Sequence, residues 1–233
     1  MRHSLYKYYD KREWAEAFFD GKLRFHSLSY FRGHEEQAVR GDKNEGRLIF
    51  RPDEGLVVTN HTQGWTRTLP WSFNATANPD EIFVFCLSRS FTQALRQRFK
   101  AVACAEIVDI KSFCDRVERS LPHGAKLPGR PDREHIGQAV NYYEESDNCN
   151  PTWACPDMIA ALKHKTFAWQ DEYRLIFSIT DALNFESARY SLVRNGASEQ
   201  FKSTQSQHYD LDVGSLRDLC VLHEFDREQV PTG

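Results

Sequence analysis

A chain of 233 residues with 40% hydrophobic content and a formal net charge of −3 can bury one substantial core, so folding needs no disulfide or metal staple. The mildly acidic balance excludes a bulk polybasic binder of nucleic acid but leaves room for a local basic groove. No apolar stretch approaches the roughly 18 residues of a membrane span and no early apolar run marks a signal segment, so the expectation is a soluble, cytoplasmic domain without a membrane partner.

In chain order, Leu5-Tyr6-Lys7-Tyr8-Tyr9 is rich in aromatic β-formers and reads as a strand. Asp10 then caps a helix in which Trp14, Ala17 and Phe18 recur at helical spacing. Asp20-Gly21 closes that helix, and Lys22 to Phe31 alternates as a half-buried strand, with Leu23 and Phe25 on one face joined by Ser27. From Arg32 to Gly46 charges are dense and no apolar period survives. Arg40-Gly41-Asp42-Lys43-Asn44-Glu45-Gly46 has the composition of a long turn, and such loops often carry function. Acidic residues are interleaved with Arg32, Arg40, Lys43 and Arg47, so a solvated loop is the plainer reading of that charge.

Leu48-Ile49-Phe50 and Leu56-Val57-Val58 read as strands, and Trp65 to Phe73 as an aromatic, polar-rich connection. Glu81 to Ser88 is almost continuously apolar, as in a strand buried on both faces, which makes it central. The pattern then predicts a helix over Thr92 to Phe99, a strand over Ala101 to Val108 and a helix over Ile110 to Leu121. Glu134 to Glu145 fits one face of a helix through Ile136, Val140 and Tyr143, and fits a strand over Val140 to Tyr143 equally. A helix over Pro156 to Lys163, a strand within Phe167 to Ile179 and a last strand at Leu219 to Leu222 complete the chain.

The segment Gln170-Asp171-Glu172-Tyr173-Arg174 is the expected seat of chemistry. On a strand, Gln170 and Glu172 project from one face while Tyr173, Leu175 and Phe177 pack on the core from the other. The bland alternative is an edge strand on which Glu172 merely pairs with Arg174 or Lys165. Elsewhere, no G-x-S-x-G elbow accompanies Ser88, and neither G-x-G-x-x-G nor a P-loop occurs. The six cysteines read as reduced thiols; Cys149 and Cys155 lack partners for a zinc site, so no metal is expected.

This segment resembles the Q/E-x-E element of ADP-ribosyltransferases, and Phe25-His26-Ser27-Leu28-Ser29 resembles the strand that carries their Ser-x-Ser motif, with Leu28 where Thr is usual. The order of these motifs, with Phe85-Cys86 and Ser88 between them, is similar to that in bacterial and phage-linked, toxin-like members. The resemblance implies a single domain over residues 1–233 of α+β class, with a central, mostly antiparallel split β-sheet and flanking helices. It implies a mono-ADP-ribosyltransferase that uses NAD as substrate, with Glu172 catalytic and Gln170 positioning the acceptor. Ser27, Ser29 and Tyr30 would line the NAD pocket, and Lys7 or Tyr8 would take the first-strand role. A toxin or phage-defence effector that modifies a nucleobase is implied, with Arg32, Arg40, Lys43 and Arg47 on the RNA or DNA phosphates and an antitoxin protein as partner. A protein acceptor, and a non-catalytic module that binds a nucleotide or a partner in the same cleft, are the alternatives.

Overall fold

A computed structural model of the chain describes residues 4–33, 42–129, 135–147, 150–196 and 206–225. Aromatic β-formers make β1 (Leu5–Tyr9). The helix that follows, α1 (Arg12–Phe19), buries Ala15, Phe18 and Phe19; its N-cap is Lys11, whose side chain makes no capping bond, rather than Asp10. Gly21 then takes a φ of +87°, and a Cβ there would lie 2.0 Å from the Gly214 carbonyl oxygen, so only glycine allows the two turns to approach. β2 (Lys22–Ser27) ends four residues earlier than the alternation suggests, because Leu28 and Ser29 turn into α2 (Leu28–Gly33), which buries both.

β3 (Arg47–Phe50) and the hairpin β4 (Leu56–Asn60) and β5 (Trp65–Leu69) precede β6 (Trp71–Thr76), so the stretch expected to be a connection holds two strands. The hairpin is held by its own ladder and by the Thr59 and Thr66 hydroxyls 3.0 Å apart, with none of its residues buried. β7 (Ile82–Ser88), α3 (Gln93–Arg98), β8 (Ala103–Ile107) and α4 (Ile110–Ser120) fall where the sequence puts them. Asp109 caps α4 by accepting from the Ser112 amide at 3.0 Å.

The ambiguous 134–145 stretch contains two short strands, β9 (Gly137–Ala139) and β10 (Asn141–Tyr143). The helix expected over 156–163 stops as α5 (Pro156–Ile159), and β11 (Leu162–His164) pairs in parallel with β10. Residues 165–170 form a 3₁₀ turn before β12 (Glu172–Ser178). β13 (Arg189–Arg194) and β14 (His208–Asp212), absent from the sequence reading, precede β15 (Cys220–Glu224).

The class is α+β, built on antiparallel sheet. The main sheet runs β14-β2-β7-β1-β8-β15, with β12 and then β9 beside β7. On one face α1 and α4 bring Phe18, Phe113 and Val117 onto Phe25, Phe83, Phe85, Leu175 and Phe177. Phe25 meets Phe177 edge-on at 5.0 Å, and such side chains stabilise by about 1.5–3 kcal/mol each when fully buried. On the other face Val84 and Ile176 pack against Leu48, Ala75, Tyr143 and Ile159 from the β13-β6-β3 sheet, β10 and α5. Among the described residues no helix is long and apolar enough to cross a membrane.

Candidate functional site

The site begins with a break in strand pairing. β12 follows one edge of β7 through seven residues, from Glu172 opposite Ser88 to Ser178 opposite Ile82. The other edge is shared: β1 meets it at Ser88, and β2 meets it at Val84 and Phe83. β1 and β2 part between these points, and a cleft of about 830 Å³ opens in the gap. Lys7 reaches into it, donating from Nζ to the Cys86 carbonyl oxygen at 2.7 Å, 4.4 Å above the Phe85 ring. A carbonyl that would otherwise seek a strand partner is thereby satisfied.

Register decides which residues share a face. Side chains directly opposite in an antiparallel pair project together, and alternate residues of a strand project together. Glu172 and Tyr6 are both opposite Ser88, and His26 is opposite Val84, four residues along β7, so Glu172, Tyr6, Tyr8 and His26 share one face. Ser27 is opposite Phe83 and belongs to the other face.

Ser27 and Ser29 are not among the residues that line the cleft, which corrects that expectation. Both are buried, their hydroxyls 2.8 Å apart, and Ser27 Oγ accepts from the Gln207 amide at 3.0 Å. The Ser-x-Ser pattern ties β2 to α2 and to the segment before β14. His26, which no motif singled out, takes the cleft position, and strand alternation within Phe25-His26-Ser27 was the signal for it. Its ring stacks on Tyr30 at 3.9 Å and 18°. Burial, then Lys7 and Arg24, lowers the His26 pKa to about 4, so the imidazole is neutral near pH 7. Tyr8 also lines the cleft; its hydroxyl donates to the Ser90 carbonyl and accepts from the Thr92 amide, and burial pushes its pKa up to about 12.

Glu172 and Gln170 do come together at the cleft floor, although not as neighbours on one strand. Asp171, between them, is left-handed at φ 44° and ψ 54°, and Gln170 ends the 3₁₀ turn. Asp171 is held there by Arg89 Nε at 2.9 Å and by the Ser90 hydroxyl, while Ser88 Oγ donates to the Gln170 carbonyl at 2.8 Å. Lys163 then joins the pair: its Nζ lies 2.7 Å from Gln170 Oε1 and 2.9 Å from Glu172 Oε2. Arg174 Nε holds Glu172 Oε1 at 2.6 Å, and its Nη1 donates to Glu45 Oε1 and to the Ala160 carbonyl.

Glu45, Arg174, Glu172 and Lys163 are thus a chain of alternating formal charge, all at most 4% exposed. Burial alone would raise the Glu172 pKa, but the Arg174 guanidinium and the Lys163 ammonium outweigh it and hold the carboxyl well below the usual range. Glu172 sits on a strand paired on both edges, so the edge-strand alternative fails, and its partners are Lys163 and Arg174 rather than Lys165. Lys165 pairs with Glu144 instead.

Of the four expected phosphate contacts, Arg32 and Arg47 are taken up within the fold. Arg47 is buried at the start of β3, and Arg32 Nε donates to the Glu45 carbonyl at 2.6 Å, so Arg32 supports the loop that delivers Glu45. Lys43 borders a separate small hollow with Glu145 and His164, and Arg40 lies outside the described residues. Lys163 and Glu45 escaped sequence reasoning because nothing in Leu162-Lys163-His164 or in a charged turn marks an ion as buried.

The Cys86 thiol lines the cleft, but burial, then Glu172, pushes its pKa up to about 12, which leaves it a poor nucleophile. Cys149 lies outside the described residues, and among those described no group of three or more His, Cys, Asp or Glu converges as a metal site. Compared with models of known protein families, with curated proteins and with solved structures, the chain matches none.

Proposed function

We propose that the chain is an NAD-dependent mono-ADP-ribosyltransferase that binds NAD in the cleft between β1 and β2. The observation that carries this reading is the meeting of Glu172 and Gln170 on the floor of an aromatic-walled cleft. At about 830 Å³ the cleft falls within the range of roughly 300–1,000 Å³ typical of cofactor sites. Tyr8, Tyr30 and the neutral His26 offer flat surfaces to the rings of a dinucleotide.

In the reaction, the bond from the ribose C1′ to the nicotinamide nitrogen breaks, and nicotinamide leaves with the electron pair. Positive charge grows on the ribose carbon until an acceptor nucleophile bonds to C1′ and gives its proton to solvent. Glu172 accepts a hydrogen bond from the ribose 2′-hydroxyl, and its charge favours the cationic transition state over the ground state. Gln170, a neutral amide, suits a neutral nitrogen nucleophile such as that of a nucleobase.

One observation favours a second reading, a module that binds a nucleotide without turning it over: both Glu172 oxygens are already engaged, by Arg174 and by Lys163. Each carboxylate oxygen can accept a further bond, so the pairing is compatible with catalysis as well. Incubation with labelled NAD and total RNA, DNA or lysate separates the two. The transferase releases nicotinamide and labels an acceptor, and Glu172→Gln lowers release by about 10²–10³-fold. NAD binding without release in the wild type selects the binding module.

A further inference from the structure

Lys163 lies at the centre of β11, on the cleft floor, with its ammonium nitrogen 5.0 Å from the centre of the Phe167 ring. Only 4% of the residue is exposed. A methionine or leucine would fill the same volume without removing a charge from water, so packing alone does not explain a lysine here. Arg174 also donates to Glu172, at Oε1 and 2.6 Å, so charge compensation of Glu172 is shared and is not the whole of what Lys163 does. What Lys163 adds is a tie between two groups that the backbone does not otherwise align. Gln170 leaves the end of a 3₁₀ turn, Glu172 leaves a strand, and a left-handed residue separates them.

We infer that Lys163 is a positioning residue: by holding the Gln170 amide oxygen and the Glu172 carboxylate on one ammonium, it fixes the acceptor-reading group relative to the group that stabilises the ribosyl cation. The inference rests on the transferase reading. The two oxygens are kept within two hydrogen-bond lengths of each other, and the Glu172 carboxylate is held at both oxygens, Oε2 by Lys163 and Oε1 by Arg174. A compact, three-donor head suits this task, whereas the planar fork of arginine would need more room and a flat partner. Small errors in such an arrangement are costly, since a displacement of about 1 Å lowers rates by roughly 10²-fold.

The test uses the full chain with labelled NAD and total RNA, DNA or lysate as the acceptor pool, and follows nicotinamide release and acceptor labelling separately. Lys163→Met is expected to lower kcat by about 10²-fold with KM for NAD within about threefold of wild type. It is also expected to lower the ratio of transfer to simple NAD hydrolysis, because Gln170 loses its anchor while water needs none. Placed in a Glu172→Gln background, Lys163→Met should cost little more, since both act through one unit. Gln170→Leu leaves the Lys163–Glu172 pair intact and should reduce the transfer ratio by more than its loss of Tm accounts for, which keeps the idea testable if Lys163→Met folds poorly.

Wild-type nicotinamide release with an unchanged transfer ratio in Gln170→Leu overturns the inference, and the acceptor role of Gln170 with it, but not the transferase reading. A Lys163→Met enzyme whose kcat stays within threefold, or whose transfer and hydrolysis fall equally in step with Tm, also overturns the inference. A wild type that releases no nicotinamide overturns the transferase reading and this inference together.

Discussion

Arg174 and Glu45 face each other through two hydrogen bonds, of 2.5 and 3.1 Å, in the interior between the main sheet and the 42–47 turn. The pair anchors one end of the charge chain that reaches the cleft at Lys163. Removing one member leaves its partners buried and uncompensated, which costs more than the pair contributes. Arg174→Met is expected to destabilise the fold by about 3–5 kcal/mol, read as a shift of the urea midpoint. A loss below about 1 kcal/mol would mean that water reaches the pair.

The His26 imidazole gives the protein a pH signature. Its folded pKa is lowered from the ordinary 6.5 to about 4, first by burial and then by Lys7 and Arg24. Between those values the unfolded chain binds a proton that the folded chain refuses, so stability rises with pH across that window. The contribution is complete above about pH 6.5 and is lost as pH falls toward 4. His26→Gln should flatten this part of the Tm-against-pH curve; equal slopes in the two proteins would rule out a buried neutral imidazole.

Ser27→Ala separates a structural serine from a pocket-lining one. The hydroxyl is the acceptor for the Gln207 amide and the partner of Ser29. The expected cost is about 1–2 kcal/mol of stability, with the Kd for NAD in calorimetry unchanged. A selective loss of NAD affinity at full stability would return Ser27 to the cleft.

Gly21→Ala meets both a left-handed backbone and the Gly214 carbonyl. About 2–4 kcal/mol should be lost, visible as a lower Tm, whereas Gly124→Ala, with open space around it, suffers only the backbone strain. Similar losses for the two would show that the approach of the two turns is not constraining.

The elements that were legible in the sequence are those whose burial writes a period. Ile82 to Ser88 is apolar because both faces are covered, and Tyr173, Leu175 and Phe177 alternate because one face meets α4 and its neighbours. β5 and β13 are largely solvated and leave no apolar stripe, so Trp65 to Leu69 looked like a connection. In the site, Glu172 and Gln170 were readable as a short motif. Their true link was not, because Lys163 precedes β12 in chain order without a strand pairing between β11 and β12, and Glu45 arrives from 129 residues before Arg174. Proximity of that kind is a property of the fold and leaves no local trace. The serines misled for the opposite reason: a local motif was readable, but its hydroxyls are engaged with each other and with the Gln207 amide.

Asp171 turns the chain by a single left-handed residue, a conformation that costs most side chains about 1–2 kcal/mol and that Asp tolerates. Because the turn is one residue long, the stretch from Lys163 to Glu172 works as a ruler. An inserted or deleted residue before Asp171 would swing Gln170 away from the ammonium, and a slip of one within β12 would send Glu172 to the face that holds Phe83 and Phe177. Any redesign of this segment can exchange side chains more freely than it can change their number.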